Sequence, residues 1–243
     1  MTEETNPKLA KIRALLAKAE DPAASREEAE MYFAKAAELM AKYGIEQAML
    51  ADVTPGLDRP VDRVIQVKGG YTVDRVGLLN CIARPLGLQC IRLRGADGRL
   101  SEDVRVFGYE ADIAHVEMLF TSLLLQAFNG MRRGRPRPGE SVTAYRKSWL
   151  TGFSQAVEVR LEAAQARARG EAPDGANGRS AELVLADRAS VVLASYRTAY
   201  PDIRKGGKRK MRGTGFAAGR AAGNAADLGG TRIGSRGRTS LTS

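Results

Sequence analysis

The chain has 243 residues, 44% of them hydrophobic, which suits one or two globular domains. Its formal charge is +10, yet residues 204–243 hold ten of the 38 Lys+Arg and one of the 28 Asp+Glu, so +9 lies there and only +1 in residues 1–203. No apolar run approaches the ~20 residues of a bilayer span, and two cysteines, Cys81 and Cys90, are too few for a disulfide framework.

From Lys8 to Ala19, Leu9, Ile12, Leu15 and Leu16 recur at helical spacing, with Pro7 suited to the first turn. Glu20-Asp21-Pro22 breaks that helix. Ser25-Arg26-Glu27-Glu28 reads as a capping box for a second one, with Ala29, Phe33, Ala36, Leu39 and Met40 on one face. Gly44 is placed to stop it, and a third short helix is expected from Ile45 to about Asp52. The short connection between the first two helices favours an antiparallel hairpin.

Lys11-Ile12-Arg13-Ala14-Leu15-Leu16-Ala17-Lys18-Ala19, then Glu28-Ala29-Glu30, then Lys35-Ala36-Ala37-Glu38-Leu39-Met40-Ala41-Lys42-Tyr43-Gly44-Ile45 carry a pattern of their own. They resemble the bacterial and phage domain of unknown function 2786, closely over about the first fifty residues. The remainder resembles the region that usually follows in such proteins: a hairpin ending in Phe107-Gly108, a helix beginning near Asp112, and a segment like Ser148 to Gly152-Phe153. The resemblance implies an architecture and brings no established activity.

Residues 53–62, with Thr54-Pro55-Gly56 and Pro60, read as a linker. Arg63 to Lys68 alternates like a strand, and Thr72 to Leu86 reads as a helix closed by Pro85 and Gly87. Leu88–Arg94 and Glu102–Phe107 alternate on either side of Gly95-Ala96-Asp97-Gly98, a strong hairpin signal. Glu110 to Arg133 reads as the central core helix, ended by Gly134-Arg135-Pro136-Arg137-Pro138-Gly139. Ser141 caps a helix reaching about Arg169. Glu182–Ala186 is a short apolar run, and Ala189–Tyr200 a last amphipathic helix. Gly215, Gly219 and Gly223 then mark a narrow helix, suited to packing against another backbone.

The chemistry sought is mostly absent. One histidine, His115, excludes sites needing two. His115-Val116-Glu117 lacks the Pro-Cys-x-x-Cys partner of zinc deaminases. Cys81, Cys90 and His115 have no chelating spacing, so two buried thiols and a surface histidine are expected, with no metal and no cofactor. Gly206-Gly207-Lys208 lacks the rest of a phosphate loop. The acidic pairs Glu102-Asp103 and Glu110-x-Asp112 suit capping and the helix dipole.

Two features point to nucleic acid. Arg132, Arg133, Arg135 and Arg137 crowd one stiff turn, with Arg146 and Lys147 just beyond and Tyr145 and Trp149 as stacking candidates. Lys205, Lys208, Arg209, Lys210 and Arg212 form a cationic run, followed by Arg220. A solvated loop and a solubilising terminus explain the same residues. The reading is an α+β fold. Residues 1–52 form a helical hairpin, 53–62 a linker, 63–203 a small antiparallel sheet on long helices, and 204–243 a basic, largely flexible tail. The expected function is non-catalytic binding of DNA or RNA through phosphates, in the cytoplasm, with no membrane role. The alternatives are a metal-dependent hydrolase using Asp103, Glu110 or Asp112, and a protein-docking module built on the hairpin.

Overall fold

The structure, a computed structural model, describes residues 11–12, 14–15, 17–18, 26–54, 56, 58–203 and 211–226. Three strands, β1 (Val61–Gln66), β2 (Gln89–Arg94) and β3 (Leu100–Gly108), form an antiparallel sheet in the order β1-β3-β2. The helices are α1 (Arg26–Val53), α2 (Thr72–Ala83), α3 (Glu110–Arg133), α4 (Val142–Glu171), α5 (Ala181–Ala199) and α6 (Phe216–Ala225), with a 3₁₀ turn at Arg84–Leu86. The expected α+β class is what the chain adopts.

Register decides how the sheet is covered. Ile65 lies opposite Val104 and Cys90 opposite Val106. That face enters the main core with Leu78, Leu79 and Ile82 of α2 and with Ile113, Val116 and Leu123 of α3. Ile91 and Phe107 face the other way, because successive strand residues alternate, and there Val192 and Tyr196 of α5 and Tyr200 just beyond it cover them. Each such side chain contributes about 1.5–3 kcal/mol on full burial. By length and composition α3 passes as a membrane span, but nine of its residues are buried inside this protein.

Residues 11, 12, 14, 15, 17 and 18 are helical. Ile12 is fully buried in one cluster with Ala36 and Met40, and Leu15 and Leu39 pack on it. Lys18 lies over the Tyr32 ring at 5.3 Å, so the earlier residue meets the later helix as an antiparallel hairpin requires. Leu16, Ser25 and the break at Glu20-Asp21-Pro22 fall outside the described residues, as do the side chains of Ala29 and Phe33.

Three expectations are corrected. Gly44 does not end a helix: α1 runs through it to Val53, because Ile45 and Ala48 continue the buried stripe. Glycine there serves close packing, since a Cβ would stand 3.3 Å from Asp112 Oδ1. The run Glu182–Ala186 is the first half of one helix, α5, with the Ser180 hydroxyl accepting from Leu183 N. The third correction concerns the C-terminus.

Residues 211–226 are folded against the body rather than trailing from it. Gly215, Gly219 and Gly223 put α6 directly on the backbone of α4: a Cβ on Gly219 would collide with the Trp149 carbonyl, and one on Gly223 would sit 2.6 Å from the Phe153 carbonyl. Gly152 of α4 returns the contact against Phe216 and Arg220. Ser148 Oγ donates to the Gly213 carbonyl at 3.0 Å and Arg160 to that of Gly223 at 2.9 Å. A side-chain-poor helix buries little apolar area for its length, so it needs this backbone approach to gain dispersion contact.

Candidate nucleic-acid interface

Helix α3 ends at Gly134, and the turn through Gly139 carries Arg135 before Pro136 and Arg137 between Pro136 and Pro138, prolines that cannot extend a helix. Arg132 and Arg133 occupy the last turn of α3, where cations complement the helix dipole. All four arginines are exposed, and none has an ion-pair partner among the described residues. Arg146 and Lys147 follow in the first two turns of α4 and are half-buried.

Glu140 ties this turn to the distant C-terminal segment. Its Oε1 accepts from Thr214 N at 2.6 Å and its Oε2 from Thr214 Oγ1 at 2.8 Å. The same Oε2 accepts from Arg137 N at 3.0 Å. The bond from the Thr214 backbone, joined by those from Arg137 N and the Thr214 hydroxyl, holds the carboxyl below its usual range against the opposing effect of burial. Arg212 is exposed two residues before Thr214, and Arg220 is exposed on α6. Two basic segments that the sequence separates by some seventy residues thus share one end of the molecule. Lys205, Lys208, Arg209 and Lys210 lie outside the described residues, but residues 203 and 211 on either side are placed. The cationic run is therefore an internal connection between α5 and α6.

The aromatic candidates go the other way. Tyr145 and Trp149 are buried, and Trp149 stacks on Phe153 with centroids 5.4 Å apart. Both belong to the core, so neither offers a ring to a base. No aromatic side chain among the described residues is exposed.

The carboxylates of the hydrolase alternative are not brought together. Asp103 lies at one end of β1–β3, opposite Gln66, and the strand carries the chain about 17 Å further before Glu110. Glu110 pairs with Arg63. Asp112 is mostly buried beside Arg188 at 3.8 Å, and burial pushes its carboxyl up to about 6. Among the described residues no three His, Cys, Asp or Glu side chains gather as a metal would need.

His115 is a further correction: it is 1% exposed, not on the surface. Both ring nitrogens lack hydrogen-bond partners among the described residues, burial pushes the pKa down to about 4, and the ring meets Tyr43 edge-on at 5.8 Å. The thiols of Cys81 and Cys90 are half-buried, and desolvation first among the causes raises both to about 12. The periodicity of α3 was the available signal for His115, which stands one residue before the buried Val116 and four before Leu119. The hairpin's small-residue face is occupied as well: Ala41 and Ile45 pack with Ala168 of α4 and Ala181 of α5.

Residues 8–47 match the family described as a protein of unknown function, DUF2786. That segment is the hairpin helix of the partly described N-terminus and most of α1, and its Gly44 is the residue packed against Asp112. No curated protein and no solved structure matches the chain. The family match describes a building unit and names no activity.

Proposed function

We propose that this protein binds nucleic acid without catalysis, by contacting phosphates through the Arg132–Arg137 turn, the start of α4 and the cationic residues on either side of Thr214. One observation carries the reading: Glu140 clips Thr214 to the arginine turn, so two separately basic segments become one surface. Exposed guanidinium groups without carboxylate partners are available to phosphate oxygens, which they can grip bidentately. With the aromatics buried, backbone contact is favoured over base stacking, and backbone contact positions a protein without reading sequence.

The test is fluorescence anisotropy over single- and double-stranded DNA and RNA, with a chelator present and absent. Binding should tolerate scrambling of the probe sequence and should be indifferent to the chelator. Replacing Lys205, Lys208, Arg209 and Lys210 with Gln should weaken it strongly. Equal affinity of that variant and the parent would remove the reading.

A further inference from the structure

About 30 Å along α4 from the arginine turn, a cavity of about 330 Å³ opens where α1, the 3₁₀ turn, the start of α3, the end of α4 and α5 converge. Its size is at the small end of ligand sites, too small for a dinucleotide and ample for a metabolite.

The charges around it are mostly spoken for. Arg188, with a side chain 12% exposed, donates to Asp58 at 2.8 Å and lies with its guanidinium 3.3 Å from the centre of the Tyr109 ring. Arg84 at the mouth pairs with Glu158 at 3.0 Å. Three lining groups are left incompletely matched: Asp112, Arg169, and Glu182 at the start of α5, which is exposed and has no ion pair among the described residues. Asp112 has Arg188 only at 3.8 Å, because Asp58 holds that guanidinium more closely. Arg169 is half-buried and has no ion pair among the described residues. One turn before it on the same face, Gln165 is 8% exposed, lines the cavity, and its carboxamide has no described hydrogen-bond partner. A buried amide normally finds one. Leu86, Leu185 and Val192 supply apolar wall.

Asp112 and Arg169 line one cavity yet make no ion pair with each other, and the Gln165 amide, without a hydrogen-bond partner among the described residues, stands beside the base. We propose that the cavity binds an apolar α-amino acid as its zwitterion. The ammonium lies at Asp112, the carboxylate at Arg169 and Gln165, and the side chain against Leu86, Leu185 and Val192. A zwitterion satisfies both poles at once, whereas a phosphate would leave Asp112 facing an anion. A neutral hydrocarbon would leave Arg169 and Gln165 unmatched in a desolvated site, a costly arrangement.

Titration calorimetry on the full chain tests this with L-leucine and L-phenylalanine, against N-acetyl-L-leucinamide, which lacks both charges, and against adenosine and guanosine monophosphates. At least one free amino acid should give a saturable isotherm. The blocked leucine and both nucleotides should bind at least tenfold more weakly. Arg169→Ala, a half-buried position near the end of α4, should weaken the amino acid at least tenfold with its thermal melt unchanged, and Asp112→Asn should also weaken it at least tenfold. The proposal is overturned by no saturable binding of either amino acid, by equal binding of the blocked leucine, by preference for a nucleotide, or by an Arg169→Ala variant that binds as the parent does. None of these outcomes bears on the cationic surface.

Discussion

Arg63, Arg179 and Arg188 differ from Arg132, Arg133, Arg135 and Arg137 in what they face. The first three each reach two carboxylates on other elements: Arg63 pairs with Glu110 and Glu117, Arg179 with Asp52 and Asp187, and Arg188 with Asp58 and Asp112. They join β1 to α3, the end of α1 to α5, and the linker to α5. The four turn arginines face solvent, and none of their guanidinium groups makes an ion pair among the described residues. Arginine abundance alone therefore says little in this chain; the presence of an acid partner separates cations that hold the fold from cations left for another molecule. Exposed pairs in the first group contribute about 0–1 kcal/mol each, so their value lies more in fixing the arrangement of elements than in energy.

The comparison breaks most visibly at Arg188. Arg188→Met should destabilise the fold by about 3–5 kcal/mol, because two largely buried carboxylates lose their cation. Urea unfolding measures it; a loss under 1 kcal/mol would place Arg188 with the surface set. Gly219→Val comes next. The new side chain meets the Trp149 carbonyl, so α6 must lift from α4 at a cost of about 1–3 kcal/mol. The same variant should release Thr214 from Glu140 and weaken nucleic-acid binding, which a stable truncation before α6 would not be expected to supply.

A pH series sharpens the comparison further, because two groups on α3 act in opposite directions. His115 has its pKa lowered from 6.5 to about 4 by burial. Between those values the unfolded chain binds its proton and the folded chain does not, so stability falls as pH drops through that window. Asp112 is raised from 3.8 to about 6, first by burial. There the folded chain takes the proton first, and stability rises as pH drops through about 6 toward 3.8. The two nearly cancel in the parent. Asp112→Asn should uncover the histidine and make the fall between pH 6 and 4.5 steeper than in the parent, by about 1.4 kcal/mol per pH unit at most. Urea midpoints at the two pH values would show it; parallel profiles would mean that Asp112 is not held in its protonated form by the fold. Smallest of all, replacing Arg132, Arg133, Arg135 and Arg137 together with Gln should destabilise the fold by only about 1 kcal/mol, mainly through the favourable charges lost from the last turn of α3.

Much of this architecture is legible from local pattern. The Asp97-Gly98 hairpin, helix α3 from Glu110 to Arg133 and the Ser141 cap all rest on neighbouring residues, and the structure keeps them. What misleads is glycine. Gly44 reads as a stop because the Asp112 side chain it packs against lies far away in sequence, whereas Gly215, Gly219 and Gly223 read as a narrow packing helix, and only the α4 backbone that receives it is hidden from local pattern. His115 reads as polar surface by residue type, although its spacing on α3 from Val116 and Leu119 puts it on the buried face, where Tyr43 of α1 packs against it. In the candidate interface the arginines are legible as residues, but their union is not. Glu140 and Thr214 are 74 positions apart, and no local rule pairs them. Tyr145 and Trp149 fit helical spacing for either role, and burial alone decides that they belong to the core.

The claim that the turn and the cationic residues on either side of Thr214 form one phosphate-binding surface is tested most directly by the salt dependence of duplex DNA binding. On duplex DNA the slope of log affinity against log salt is about −0.9 per phosphate neutralised. The full chain should give a slope of about −5, from about six contacts. The Arg132, Arg133, Arg135 and Arg137→Gln variant, equally folded, should give a slope shallower by about 3 units. Superimposable affinities and slopes for the two proteins would contradict the account.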